Sequence, residues 1–188
     1  MSSHSRNSRK ATQALQLAFA AALLVGSAAH AAEQEPPRTF ELTAFSNTTG
    51  GAALSSGDYN TALDQLAAHA HSLDADSLST NRCVAYAVTR RMEAARAACD
   101  AAVHDAEQQI ASLPVSMSWA RAEYRDYLAL AYTNRAVLKW ISSDTAAAQA
   151  DLKRAAAVAP KAEFVARNLT ALQSHNAVAQ VSVVQKKS

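Results

Sequence analysis

The sequence predicts an all-α fold in which antiparallel helical hairpins stack as a short solenoid. Residues 80–82 and residues 133–135 both read Thr-Asn-Arg, and each motif opens a stretch of helical character. From about residue 45 to about residue 174 the chain is rich in alanine at helical spacing, with few helix breakers. A repeated hairpin that cannot bury its own apolar face must stack on its neighbours, which is the basis of a helical solenoid. Superposing the two stretches aligns residues at three positions: Ala95 with Ala148, Cys99 with Leu152, and Ala102 with Ala155.

Turn and breaker residues divide this part of the chain into seven predicted helices. Ser116 or Ser118 is expected to cap the fifth helix, because a serine hydroxyl accepts a hydrogen bond from a free N–H of the first turn. The breaks between helices are Gly57-Asp58, residues 73–76, Arg90-Arg91, Pro114, residues 142–144 and Pro160. The predicted helices lie at about residues 47–56, 59–71, 77–89, 93–111, 116–141 or 118–141, 145–158 and 161–173.

The two ends of the predicted helical domain have a different pattern. Residues 32–42 are assigned to a flexible lead-in, although residues 39–45 alternate weakly and are rich in Thr and Phe, which allows a short extended arm. Residues 175–188 are assigned to a C-terminal tail. Its segment 178–184 is apolar and β-branched, and we expect it either to pack as an extended strand or to be disordered.

The N-terminal residues 1–31 have the organisation of an export signal. Three basic residues within positions 6–10 precede an apolar run at residues 18–25, and Ala29-His30-Ala31 fits a small-x-small cleavage site. The apolar run is shorter than the roughly 20 residues of a transmembrane helix. We therefore expect a signal peptide, no transmembrane segment after its cleavage, and an exported, periplasmic protein. The alternative is a frayed N-terminal helix that is retained.

The charge and the motifs of the mature chain argue against several classes of function. After removal of residues 1–31, 15 basic and 16 acidic residues give a net charge of −1, so nucleic acid is not an expected partner. The chain has no nucleophile-elbow, zinc-protease or phosphate-binding motif, so we expect no catalytic residues and no cofactor. His69 and His71 are two residues apart and point to different faces of a helix, so we expect no metal site.

Cys83 and Cys99 are the two cysteines of the chain. With a hairpin turn near residues 90–91, they lie at nearly opposite positions of two antiparallel helices. A disulfide needs Cα atoms within roughly 7 Å, and helix axes pack about 8–10 Å apart, or closer where small residues meet. Export to an oxidising compartment favours a disulfide, which would add about 3 kcal/mol of stability. The alternative is a pair of buried free thiols.

The small residues and their spacing resemble the tetratricopeptide repeat family, whose unit has 34 residues and three fixed small positions. Ala62 and Ala95 are 33 residues apart, close to that period, and about twenty residues are inserted around Pro114. An unrelated antiparallel bundle is the alternative. The resemblance assigns residues 43–174 to a helical domain with repeats at about 43–75, 76–108 and 129–160 and a capping helix at 161–173. Its repeat-packing residues would be Ala62, Ala95, Ala102, Ala136, Ala148 and Ala155.

The resemblance also implies a concave face lined by the first helix of each repeat. Asn81 and Asn134 are expected to bond main-chain atoms at a helix–helix junction, with direct contact to a ligand as the alternative. Trp140 and Ile141 have the alternative of packing on the inserted segment or the tail. The predicted partner-binding groove consists of Thr80, Val84, Val88, Thr133, Val137, Trp140 and Ile141.

An apolar groove of this kind suits an amphipathic helix or an extended peptide. The sequence therefore predicts a non-catalytic scaffold of the bacterial envelope that binds a protein or peptide partner. The alternative is a structural or self-associating periplasmic protein, possible as a homo-oligomer, whose groove is occupied by its own tail. An enzyme is a third hypothesis, for which no nucleophile, base and orienting group can be named.

Overall fold

The computed structural model describes residues 39–69, 75–174 and 181–186. The predicted signal peptide, residues 1–31, lies outside the described residues. The described part of the chain is mostly helical, as predicted, and no helix in it has the length and apolar character that crossing a membrane requires. In chain order its elements are β1 (Phe40–Phe45), α1 (Gly51–Ser56), α2 (Tyr59–Ala68), α3 (Ala75–Val88), α4 (Met92–Ser112), α5 (Ser118–Ile141), α6 (Thr145–Val158), α7 (Glu163–Gln173) and β2 (Val181–Lys186).

Local residues explain where the helices begin and end. Asp58 and Asp144 cap α2 and α6, each accepting a hydrogen bond from a main-chain N–H three residues on, at 3.1 and 3.0 Å. Gly57 ends α1 in the left-handed conformation, with φ of 81°. The predicted serine cap of α5 is wrong. Met117 holds the cap position without a side-chain hydrogen bond, and Ser118 is already the first helical residue.

The odd-numbered helices form one layer. Neighbours in sequence pack on each other from α1 to α7, and α1, α3, α5 and α7 also contact one another in that order. The predicted disulfide is present, joining Cys83 of α3 to Cys99 of α4 with Cα atoms 4.6 Å apart. Both half-cystines are fully buried. The alanines predicted to pack between repeats are at most 2 % exposed: Ala62, Ala95, Ala102, Ala136, Ala148 and Ala155.

Two strands correct the prediction at the ends of the domain. Phe40–Leu42, assigned to the flexible lead-in, belong to β1, because Phe40 and Leu42 bury their side chains completely. Of the two alternatives for the tail, the extended one is present over Val181–Lys186. β2 pairs with β1 in parallel, with Phe40 opposite Val181 and Phe45 opposite Lys186. The fold is therefore mostly helical, which is consistent with the predicted all-α class, and it carries one short parallel strand pair.

Candidate functional site

β1 lies across the layer formed by α1, α3, α5 and α7 and contacts all four helices. It thus occupies the face that these helices share. A strand placed on helices normally leaves its main-chain N–H and C=O groups without partners, because helix main-chain groups already bond within the helix. Side chains must satisfy the strand, and three asparagines do so.

Each asparagine binds one residue of β1 through both polar atoms of its side-chain amide. In every pair the strand N–H donates to the amide oxygen at 2.8 Å. The amide nitrogen donates to the carbonyl oxygen of the same strand residue at 2.8–3.1 Å. We call Asn81, Asn134 and Asn168 the asparagine ladder. The pairs are Phe45 with Asn81 on α3, Thr43 with Asn134 on α5, and Glu41 with Asn168 on α7.

The ladder uses the geometry of an extended chain. The N–H and C=O of one strand residue point to the same edge, and successive residues point to opposite edges. An asparagine amide offers one acceptor and one donor side by side, so it substitutes for the peptide group of a neighbouring strand. Because the ladder binds alternate residues, it satisfies a single edge of β1. The ladder binds main-chain atoms, so its hydrogen bonds do not depend on which side chains the segment carries.

Asn81 does more than hold the end of β1. Its amide nitrogen also contacts the Thr48 hydroxyl at 2.9 Å and the Thr49 carbonyl oxygen at 3.0 Å. It therefore fixes the turn that leads from β1 into α1. The direction of the chain as it leaves the strand is set by the same residue that ends the ladder.

Apolar packing secures the side chains of β1. Phe40, Leu42 and Ala44 are fully buried in one cluster with residues of α3 and α5. The Phe40 ring lies 4.3 Å from the Trp140 ring, measured between centroids. The Phe45 ring meets Tyr127 edge-on at 4.9 Å. Burying aromatic and leucine side chains contributes about 2–3 kcal/mol each, so β1 belongs to the core.

The structure places the predicted groove residues on the face that β1 covers. Val84, Val88, Val137, Trp140 and Ile141 share one apolar cluster with β1. The predicted threonines are buried as well, and the Thr133 hydroxyl donates to a carbonyl oxygen of its own helix at 2.7 Å. The face is therefore a filled groove. Trp140 packs on β1, a partner that neither alternative for it had included.

Asn81 and Asn134 bond main-chain atoms, as expected, but these atoms lie in β1 and, for Asn81, also in the turn after it, rather than at a helix–helix junction. Asn168 was not among the predicted site residues, although it is the third member of the ladder. One signal was available, since Asn134 and Asn168 are 34 residues apart, the length of the family's unit. The Thr-Asn-Arg motif does not recur there, because Asn168 follows Arg167 and precedes Leu169.

A buried carboxylate lies behind the ladder, in the contact between α5 and α6. Asp151 is fully buried and accepts hydrogen bonds from Arg135, Lys139 and Arg154 at 2.7–3.1 Å. Arg135 also pairs with Asp100 on α4 at 2.9 Å. Burial raises the pKa of Asp151, but the hydrogen bonds and charges of Arg135 and Lys139 outweigh burial and hold that pKa below its usual range. These ion pairs join α5 to α6 and to α4.

The residues that the structure describes contain no candidate metal site. No cluster of three His, Cys, Asp or Glu side chains there has a geometry that could hold a metal ion. Arg167, which precedes Asn168 of the ladder, forms an ion pair with Glu41 of β1 at 2.7 Å. The site combines main-chain hydrogen bonding with apolar packing. A comparison with family models, curated proteins and solved structures found no match.

Proposed function

We propose that the protein is a non-catalytic binding scaffold of the bacterial envelope, which presents a concave helical face to a protein or peptide partner. The asparagine ladder carries this proposal. Three side chains from three helices bind the main chain of one extended segment, and main-chain bonding with pockets for alternate side chains is a recurring mode of peptide recognition. Because β1 already binds the asparagine ladder, the partner would contact a surface formed by the helices together with β1.

We further propose that the helices form a tetratricopeptide-like array. Two observations support it: α1, α3, α5 and α7 form one layer in chain order, and Asn134 and Asn168 repeat at the family's period. In this array, the step from Asn134 on α5 to Asn168 on α7 shifts the bound residue of β1 by two positions, from Thr43 to Glu41. The inserted residues of the long α4–α5 hairpin interrupt the period between Asn81 and Asn134.

The location in the envelope is part of the same proposal. The Cys83–Cys99 disulfide supports it, because structural disulfides persist in oxidising compartments and are rare in the cytosol. The predicted signal sequence within residues 1–31 provides the route for export. Intact-mass spectrometry of the exported chain identifies the site at which the signal peptide is cleaved.

A second candidate function is favoured by the occupancy of the face. β1 and β2 both come from this chain, so the protein is a structural or self-associating one if the face accepts nothing further. The original form of this hypothesis placed the tail in the groove. In the structure the segment before α1 lies on the helices, and the tail pairs with that segment.

Capture from the native envelope fraction tests the proposed function, with Asn168→Ala compared with wild type and with Asn60→Ala. Aspartate at Val84 or Val137 would be uninformative, since both are fully buried and the chain would unfold. Asn168→Ala releases only the partly buried Glu41 end of β1, while Asn60 is exposed on α2. We expect at least a fivefold loss of a specific partner with Asn168→Ala and no loss with Asn60→Ala, at equal helicity by circular dichroism.

The opposite outcome is equally clear. If the three chains retain the same proteins in the same amounts, or retain none, the binding scaffold is wrong. The structural or self-associating function then takes its place.

A further inference from the structure

The second edge of β1 is a preorganised surface for strand pairing. The ladder binds the edge to which Glu41, Thr43 and Phe45 direct their main-chain groups. The groups of Phe40, Leu42 and Ala44 therefore point to the opposite side, which we call the outer edge. β1 is fixed there by three pairs of hydrogen bonds and by the core, so an incoming strand does not have to order it.

β2 is held at the outer edge by fewer structural elements than those that hold β1. β1 contacts four helices, whereas the contacts of β2 are concentrated on β1 and on α1. Val184 of β2 is partly exposed, while five of the six β1 residues are buried. The free energy needed to release β2 is therefore smaller than that needed to release β1. Its release leaves the disulfide and the asparagine ladder untouched.

We propose that the outer edge of β1 is an acceptor site for an extended segment of the partner protein, which pairs parallel to β1 in the place of β2. This inference rests on the proposed binding function and names its mode. β2 displays the chemistry that the edge accepts, with valine at three of six positions and no proline over Val181–Lys186. The partner segment is accordingly about six residues long, β-branched and free of proline, because alternate residues of a parallel strand donate their N–H groups to the outer edge and proline disrupts a strand interior.

The connection of β2 to the chain sets the strength of the competition. β2 belongs to the same chain as β1, so its local concentration at the outer edge exceeds that of a segment added in trans. A partner segment binds in proportion to the fraction of molecules in which β2 is released. Weakening β2 therefore increases the apparent affinity for a segment added in trans.

Val184→Pro in the full chain tests this mode of binding. In a parallel pair a residue bonds to the two neighbours of its opposite residue, so Leu42, which lies opposite Val183, faces the N–H of Val184. Proline removes that N–H and is excluded from strand interiors. Val184→Thr is the matched control, since it keeps the N–H and a β-branched side chain. The probe is a fluorescent peptide of residues 179–187, and a second probe carries proline at the position of Val184. Anisotropy measures binding, and amide hydrogen exchange of β1 locates it.

We expect Val184→Pro to bind the first probe at least tenfold more tightly than wild type or Val184→Thr, and none of the chains to bind the proline probe. Bound probe should slow exchange at Phe40, Leu42 and Ala44. If Val184→Pro keeps native helicity and a protected Thr43 amide yet binds the probe no better than wild type, the acceptor site is wrong. A wild-type dimer that Val184→Pro abolishes would also overturn it, since a second copy would then be the occupant.

The peptide assay contains no envelope component, so its failure concerns strand pairing alone. The capture comparison of wild type with Asn168→Ala concerns the binding function and leaves the sequence of β2 unchanged. If Asn168→Ala loses the partner but no peptide binds at the outer edge, the binding function is retained as the proposal. Strand pairing at the outer edge is then rejected as its mode of binding.

Discussion

Replacing Asn134 by alanine should lower the free energy of unfolding by about 3 kcal/mol. Asn134 is fully buried, and the structure gives its amide two bonds, both to the main chain of Thr43 and both 2.8 Å long. Alanine leaves one N–H and one C=O of β1 buried without partners, and each such group costs about 1–3 kcal/mol. Urea unfolding followed by circular dichroism measures the loss as a shift of the midpoint at constant slope.

Thr43→Val is the matched control for this substitution. The Thr43 side chain is buried, and its hydroxyl has no hydrogen-bond partner among the described residues. Since Asn134 binds the main chain of Thr43, valine keeps both ladder bonds and removes an unsatisfied hydroxyl. Stability should stay within about 0.5 kcal/mol of wild type or increase. A loss with Thr43→Val as large as with Asn134→Ala would show that the side chain, and not the ladder, holds this part of β1.

Replacing Asp151 by asparagine should lower the free energy of unfolding by about 3 kcal/mol at neutral pH. The substitution removes the one carboxylate that Arg135, Lys139 and Arg154 share, and breaking a buried ion pair costs about 3–5 kcal/mol. The lower end applies because Lys139 and Arg154 can turn towards water. Asp64→Asn on the exposed side of α2 is the control, with an expected change within about 0.5 kcal/mol.

The same carboxylate makes stability depend on pH in a defined direction. The pKa of Asp151 is lowered in the folded protein, so its contribution is complete above the unfolded value of about 3.9 and is lost as pH falls through the folded pKa. Below about pH 4 the difference between wild type and Asp151→Asn should therefore shrink. Urea unfolding of both chains from pH 3 to 7 checks this, and a difference that grows towards acid would contradict the assignment.

The helices could be predicted from the sequence because their signals are local. Asp58, Asp144, Gly57 and the prolines each act within a few residues of the turn that they define. The disulfide could be predicted for the same reason, since a short hairpin turn fixes which residues lie opposite each other. The boundaries of the observed helices differ from the expected ones mainly at α1, which begins at Gly51 after the left-handed Gly50.

β1 could not be predicted in the same way, because its partners are remote in sequence. Its ladder contacts join residues 36, 91 and 127 positions apart. A six-residue segment with weak alternation carries no information about three asparagines on three later helices. Once a strand is placed on the helical face, the role of the asparagines follows from the need to satisfy its main chain.

The exposure of apolar residues at the α4–α5 turn could not be predicted from the sequence either. Val115 and Trp119 are 85 % and 73 % exposed, although such residues are usually buried. Their apolar character alone does not reveal exposure, which depends on how far the long hairpin projects past its neighbours. Neither residue contributes to the face that holds β1.

Amide hydrogen exchange at Thr43 tests the central claim that the ladder holds β1 in the helical groove. In wild type the Thr43 amide should exchange only through global unfolding, as slowly as the buried helices α3 and α5. In Asn134→Ala it should exchange at least a hundredfold faster, while the amides around the Cys83–Cys99 disulfide keep their protection relative to the new global stability. A Thr43 amide that exchanges in wild type as fast as the exposed turn at Val115 would show that β1 is not bound in the groove.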